Sequence, residues 1–354
     1  MCDWSVGKAT MNKKVTIKQI AQMANVHRST VDKVLHNRPG VSHEMRTKIQ
    51  DIINVLDYKP NAIGKALKYQ QQRHVIAAVL LHVYSQVQIQ QGLERAQQEF
   101  DLFGFDLELY YTNLNDIAGQ ESILHMLAER KVSGVILQAL FNDSIVDAVQ
   151  SLTASNIPVV LINTDLLEGS HTCYIGQNCR VAAHTAARLT KEFLHGKGNV
   201  AIINGSYSYL HAIYERSNAY AKHLEEICPE IRIVEIVDST EDEHQMFQST
   251  MELLSRRQDI DCLHVTTGGL EGVWQAIKLS GLGNKIKIIC YDLYPDVVEL
   301  IRQGVVLATI CQGLNEQGYL SYKTLVNQLF YDELPNEKNL YSDVDIRLYE
   351  NTIL

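Results

Sequence analysis

Four polar side chains near the amino terminus, Arg28, Ser29, Asp32 and Lys33, fall within a single six-residue stretch. At helical spacing they share one side of a short helix. These types reach base edges and phosphates in a duplex groove, which is recognition chemistry rather than bond-breaking chemistry. The patterns that run reactions do not occur: there is no P-loop, no Gly-x-Ser-x-Gly and no His-Glu-x-x-His. Gly268-Gly269 precedes a helical stretch without the further glycine a dinucleotide loop needs. His211 lies close before Arg216, but with no partner to orient it as a base. The seven cysteines (Cys2, Cys173, Cys179, Cys228, Cys262, Cys290, Cys311) are scattered with no Cys-x-x-Cys, which fits a reducing compartment and argues against zinc. No enzyme activity, cofactor or metal is expected.

The four recognition residues need a rigid mount. Ile17, Ile20, Ala21 and Ala24 fall on one face of a first helix, and Thr16 can cap it by accepting orphan backbone N–H groups. Asn25 follows, where a tight turn wants a left-handed backbone and Asn is second choice after Gly. A second helix runs from about Arg28 to Leu35, with Val31, Val34 and Leu35 inward. Ser42 caps a third, Glu44 to Leu56, whose apolar positions are Met45, Ile49, Ile52, Ile53 and Leu56. Three short helices with a three-residue turn between the first two make a helix-turn-helix unit. A generic three-helix bundle shows the same periodicity.

Charge separates this unit from the rest. The 354-residue chain is 46% apolar and 21% charged, which excludes disorder, a collagen and a disulfide-stapled scaffold. No run of about 18 apolar residues exists, so no spanning helix is expected. Met1 to Met11 contain Asp3, Trp4 and Lys8 and no apolar segment, so no secretory leader is expected. The overall charge of −9 speaks against nucleic acid, but residues 1–74 hold 13 Lys/Arg and 5 Asp/Glu, a net of +8, and the remainder carries −17. A small basic module joined to a large acidic one suggests a polyanion-binding head, with a merely solvated surface as the alternative.

The wording of the segment is more specific than its periodicity. Val15-Thr-Ile-x-x-Ile-Ala, Ala24-Asn-Val, Ser29-Thr-Val-x-Lys-Val-Leu, Asn37-Arg-Pro-Gly-Val-Ser42 and Tyr58-Lys-Pro-Asn-Ala62 resemble the head of the lactose-repressor (LacI/GalR) family over about residues 14–69. Asn25 and His27 stand where that family usually has Gly and then a capping Ser. Asp32 stands where it usually has Ser. An acid there either accepts from a cytosine amino group or pairs with Arg28 four residues earlier. Pro60 to Lys68 forms a candidate helix with Asn61 as cap, weakened by Gly64 and too short to be stable alone in water. The resemblance implies the family's hinge helix, in which paired hinges order on DNA and a leucine wedges into the minor groove. Leu67 falls on that position, and Lys65 and Lys68 would meet phosphates. An ordinary amphipathic connector has the same pattern. The expected DNA-facing set is Thr16, Arg28, Ser29, Thr30, Asp32, Lys33, His36, Asn61, Lys65 and Leu67.

From His74 onward, short β-branched runs alternate with helical stretches. Strands are expected at Val75–Leu81, Asp106–Tyr111, Val135–Gln138, Pro158–Ile162, Asn199–Ile203, Arg232–Val237, Cys262–Val265 and Lys285–Tyr291, with a helix between most neighbours. The alternation restarts after about Cys173. Runs such as Val159-Val-Leu-Ile are continuously apolar, as expected of parallel strands buried on both faces. The end, Val344 to Leu354, reads as a strand. Two such α/β units imply two doubly wound parallel-sheet lobes around a cleft.

The body resembles the sugar-binding fold that forms the effector domain of the same repressor family, a periplasmic-binding-protein fold. Its signposts are Val135-Ile-Leu, Pro158-Val-Val-Leu-Ile-Asn163, Glu215-Arg216, Ile289-Cys-Tyr-Asp292, Ala308-Thr-Ile-Cys-Gln312 and Gln317-Gly318. The resemblance implies that Asn163, Arg216, Asp292 and Gln312 line the cleft. Arg216 would fork two hydroxyls, Asp292 would accept two, and the two amides would do both. Asp292 could instead cap the next helix, Arg216 could pair with Glu215 or Glu225, and the amides could satisfy crossover backbone. Ser85 and Gln86 stand where many sugar binders place aromatics; Tyr84, Tyr207, Tyr209 and Trp274 are candidates for that wall or for the core. Thr266 and Thr267 close another strand. The expected organisation is a helix-turn-helix domain over 11–59, hinge and linker over 60–73, one lobe over 74–172 plus 312–335 and another over 173–311 plus 336–354. The resemblance implies a cytoplasmic homodimeric repressor that binds a near-palindromic operator. A small-molecule effector, a sugar or sugar derivative, would shift lobe closure and hinge spacing. A sugar-binding transport receptor of the same body fold is the second reading.

Overall fold

The computed structural model describes residues 16–35, 38–56, 73–166, 169–205 and 211–353. The chain divides into two compact units, residues 1–71 and 72–354.

In the first unit, helix Ile17–Ala24 is opened by Thr16, whose hydroxyl accepts from the Gln19 backbone while the Gln19 side chain accepts from the Thr16 N–H. This reciprocal box satisfies two orphan donors. Asn25 ends the helix with φ at 58°, the left-handed turn the sequence asks for. Helix Arg28–Leu35 buries Val31 and Val34, and helix His43–Val55 buries Ile49 and Ile53 after the Ser42 cap. These four, with Ile20, Ala21 and Ala24, form the core, and Ile17, Leu35, Met45, Ile52 and Leu56 pack against it. The expected hinge helix lies outside the described residues.

The second unit holds two six-stranded sheets. The first contains β1 (His74–Leu81), β2 (Phe105–Thr112), β3 (Gly134–Leu137), β4 (Val159–Ile162), β5 (Cys173–Gln177) and β11 (Asn339–Ser342). The second contains β6 (Gly198–Asn204), β7 (Ile231–Asp238), β8 (Cys262–Val265), β9 (Lys287–Tyr291), β10 (Val306–Cys311) and β12 (Asp345–Arg347). Their orders are β11-β5-β4-β3-β1-β2 and β12-β10-β9-β8-β6-β7. All pairings are parallel except that of β10 with β12. The central strands are buried along their length, which is why they read as continuous apolar runs.

Two boundaries differ from expectation. Cys173–Gln177, expected to open the second lobe, pairs with β4, so the first lobe extends to Gln177. Asn339–Ser342, also expected in the second lobe, pairs with β5. The chain thus passes between lobes three times, near Asn178, near Gln312 and between Ser342 and Asp345. The expected terminal strand stops at Arg347, and Tyr349–Ile353 is a helical turn. The Asn351 side chain accepts from the Leu348 N–H and donates to the Ile346 carbonyl, which curls the chain off the sheet.

Helix Gln86–Glu99 packs against helix Leu314–Val326 on the first lobe. A Cβ at Gly92 would lie 1.8 Å from the Asn315 carbonyl oxygen, and one at Gly318 would lie 2.1 Å from the Ile89 carbonyl oxygen. Only glycine permits this backbone-on-backbone approach. It sets the segment that follows the second crossing, Gln312–Gly313, against the segment that follows β1.

Candidate functional site

The carboxyl ends of the strands of both sheets face a shared cleft, where a doubly wound sheet presents ligand contacts. The four residues expected there converge: Asn163, Arg216, Asp292 and Gln312 all line one cavity. Asn163 ends β4 and Asp292 ends β9, with φ at 61° and 62°. Both hold a left-handed backbone that costs a non-glycine residue energy and clusters at functional sites.

A directed chain of hydrogen bonds crosses the cleft. Gln138 Nε2 donates to Asn163 Oδ1 at 2.9 Å, Asn163 Nδ2 to Gln312 Oε1 at 3.3 Å, and Gln312 Nε2 to Asp292 Oδ2 at 2.6 Å. Gln138 is anchored, because its Oε1 accepts from the Leu81 N–H. Asp292 Oδ1 also accepts from the Gln312 N–H at 3.1 Å. The carboxylate therefore faces the cleft, and helix Pro295–Arg302 begins at Tyr294 without a side-chain cap. Burial raises the Asp292 carboxyl above the usual carboxylate range, opposed by the Arg216 charge and the Gln312 hydrogen bonds.

Arg216 is 6% exposed, on helix His211–Ile227. Its Nη1 donates to the Thr266 carbonyl at 3.2 Å, and its guanidinium lies 4.3 Å from the Tyr291 ring centroid. Its Nε has no partner, and neither has the Tyr291 hydroxyl. Glu215, considered as its surface partner, approaches Arg180 at 3.6 Å instead. A buried charge with an unused donor costs free energy that a ligand's acceptor recovers.

Ser85, at the position where many sugar binders place an aromatic, lines the cleft, and so do Gln138, Tyr294 and Glu241, which the sequence did not mark as contacts. Gln138 carried a usable signal as the polar residue that closes an apolar strand. Glu241 carried none, since it sits in an acidic loop that reads as solvated surface. Of the candidate aromatics, Tyr84 packs against Tyr294 with centroids 5.4 Å apart and donates to Glu243 at 3.0 Å, so it bridges the lobes at the cleft mouth. Trp274 packs on the second lobe's core. Tyr207 and Tyr209 lie outside the described residues. Thr266 and Thr267 reach the cleft. The free space is about 40 Å³, room for a few waters rather than a sugar ring.

In the first unit, Arg28, Ser29 and Lys33 are exposed on the second helix, and Thr30 and Asp32 are half-buried beside them. His27 replaces the expected serine cap: its Nδ1 accepts from the Ser29 N–H at 3.3 Å and lies 2.8 Å from the Ser29 hydroxyl. Asp32 reaches Arg38 at 3.5 Å. Thr16 is engaged in its cap. His36, Asn61, Lys65 and Leu67 lie outside the described residues. Among the described residues no cluster of three metal-ligating side chains occurs, and no helix is long and apolar enough to cross a membrane.

Comparison with known proteins fits both units. The family model described as "Periplasmic binding protein domain" matches residues 77–332, and that described as "Bacterial regulatory proteins, lacI family" matches residues 16–61. The chain is 32% identical over 151 residues to the HTH-type transcriptional regulator RegA of Clostridium acetobutylicum, covering 42% of this chain and 43% of that protein. It is 27% identical over 198 residues to catabolite control protein A of Staphylococcus epidermidis, covering 55% and 56%. Those matches span about half the length of each relative. A longer one, 28% identity over 331 residues, links it to the ribose operon repressor of Haemophilus influenzae and covers 91% and 93%. Among solved structures, a glucose-galactose binding protein from Geobacillus stearothermophilus superposes with a TM-score of 0.71 at 24% identity, covering 80% of this chain and all of that one. A solute binding protein from Bacillus halodurans with bound myo-inositol gives 0.71 at 18%, covering 79% and 96%. At such identities the likeness shows the fold.

Proposed function

Because the chain belongs to the periplasmic binding protein domain family and carries the regulatory head of the lacI family, we propose that it is a transcriptional repressor whose operator affinity is set by a sugar-type effector held in the cleft. The single observation that carries this reading is the cleft itself. Two amides, a carboxylate and a guanidinium converge there, and Arg216 Nε and the Tyr291 hydroxyl still lack partners. Multidentate donors and acceptors beside an aromatic face are what a polyhydroxy ligand requires. The head supplies the second half: Arg28, Ser29 and Lys33 would meet the major groove from an exposed helix face. The relatives, a ribose operon repressor among them, agree with this assignment. We take the working form to be a cytoplasmic homodimer on a near-palindromic operator, since two-fold protein symmetry is mirrored in paired half-sites.

The test is selection of binding sites from a random duplex pool by the full-length protein, followed by footprinting. The expected result is one enriched motif with paired half-sites. Absence of any enriched sequence would remove the repressor reading.

A further inference from the structure

The cleft and its mouth are unbalanced in charge. Of the residues that line the cavity, Arg216, Glu241 and Asp292 are the charged ones, so the described residues place two carboxylates there against one guanidinium. Glu241 also lines the open mouth, with Asp242 beside it. Glu243 accepts from the Tyr84 hydroxyl at the same rim. Arg216 is the only lysine or arginine among the described residues that line the cavity or the mouth. Glu241 takes its hydrogen bonds from neutral donors, the Thr267 hydroxyl at 2.5 Å and the Tyr84 N–H at 3.5 Å. The cavity also holds an independent sign of a ligand: Arg216, 6% exposed, keeps an unpartnered Nε.

We propose that Glu241 makes this cleft a charge filter, which accepts neutral or amine-bearing sugars and rejects sugars that carry a phosphate or a carboxylate. The inference rests on the sugar-effector reading and narrows it. An anionic ligand entering past the rim acids meets their field and then that of Glu241 between low-dielectric walls, and the single guanidinium already interacts with the Asp292 charge. A neutral polyol instead finds acceptors for its hydroxyls in both carboxylates. An ammonium group would neutralise Glu241.

The experiment is a thermal-shift and calorimetric series on the full-length protein with matched sugars: glucose, glucosamine, glucose 6-phosphate, galactose, galacturonate, ribose, ribose 5-phosphate and myo-inositol. Wild type, Glu241→Gln and Glu241→Asp are compared. In wild type, stabilisation is expected from neutral or amine-bearing members, with each anion at least about tenfold weaker than its parent. Glu241→Gln should narrow that gap by about tenfold, and Glu241→Asp, which keeps the charge, should preserve it. Higher ionic strength should narrow the wild-type gap as well, because the rim is exposed. An anion that binds wild type as tightly as its uncharged parent would overturn the filter. So would a gap that Glu241→Gln leaves unchanged while that variant melts as a folded protein. If no sugar raises the melting temperature of any form, the sugar-effector reading itself falls and the filter falls with it.

Discussion

Asp292→Asn is the most informative single change in the cleft, because the hydrogen-bond chain there has a direction. Each amide donates toward Asp292, from Gln138 through Asn163 and Gln312. An amide at position 292 that still accepts from the Gln312 N–H turns its own NH₂ toward Gln312 Nε2. Gln312 can rotate by half a turn to accept, but its Nε2 then opposes Asn163 Nδ2, and rotation of Asn163 opposes Gln138 Nε2. Gln138 cannot follow, since its Oε1 holds the Leu81 N–H. One donor-on-donor contact must remain wherever the defect comes to rest. An unsatisfied buried group costs about 1–3 kcal/mol, and loss of a charge-assisted bond about as much again. Relief of the buried charge offsets part of this, which leaves a loss of about 2–4 kcal/mol in the body. For a unit of this size, residues 72–354, that is a fall of roughly 3–7 °C in Tm by scanning calorimetry. Effector affinity should fall with it, while operator affinity of the unliganded protein should hold. A melting temperature within about 2 °C of wild type would show that the chain has no fixed polarity, and the reasoning would fail.

Further outcomes follow from other parts of the molecule. His264 is fully buried against the Tyr220 ring at 3.8 Å with neither ring nitrogen partnered, and burial followed by the Arg216 charge lowers its pKa from 6.5 to about 3. The unfolded chain takes up this proton below about pH 6.5 and the folded chain only near 3, so stability contributed by the neutral ring is lost as pH falls between them. His264→Phe should flatten the acid limb of a stability-against-pH curve by about 1.4 kcal/mol per pH unit in urea titrations; an unchanged slope would refute the assignment. Gly318→Ala must move one helix off the other, at a cost of about 3 kcal/mol or more, measured by chemical denaturation; a loss under about 0.5 kcal/mol would mean the helices are free to slide. Arg28→Ala should cost about 1–3 kcal/mol of operator binding and relax preference at one base pair of each half-site; a loss uniform across all sequences would make Arg28 a phosphate contact.

The head was readable because its determinants are local. Apolar spacing, the Thr16 and Ser42 caps and the left-handed Asn25 each act within a few residues. His27 shows the limit of pattern: a ring nitrogen does the work of the missing serine hydroxyl, which departure from the family pattern did not announce. In the body, continuous apolar runs marked most strands, but Cys173–Gln177 has the same composition whichever sheet it joins. Its membership follows from pairing with β4, a long-range choice. The terminal segment alternates like a strand, yet side-chain bonds from Asn351 turn it into a helix. The cleft was half visible. Asn163, Asp292 and Gln312 sit beside strand ends that the apolar pattern marks, whereas Glu241 enters from a loop whose acids look like ordinary surface.

In the proposed function one chain couples a sugar site to a DNA site. Linkage makes that claim quantitative: if effector changes operator affinity by some factor, operator changes effector affinity by the same factor. The direct measurement is operator affinity of the full-length protein by fluorescence anisotropy, titrated with whichever sugar stabilises it, alongside calorimetry of that sugar with and without operator. The expected result is a saturable change in Kd of about 5- to 150-fold, equal in the two experiments. A sugar that binds the cleft and saturates it while operator Kd stays constant would contradict it.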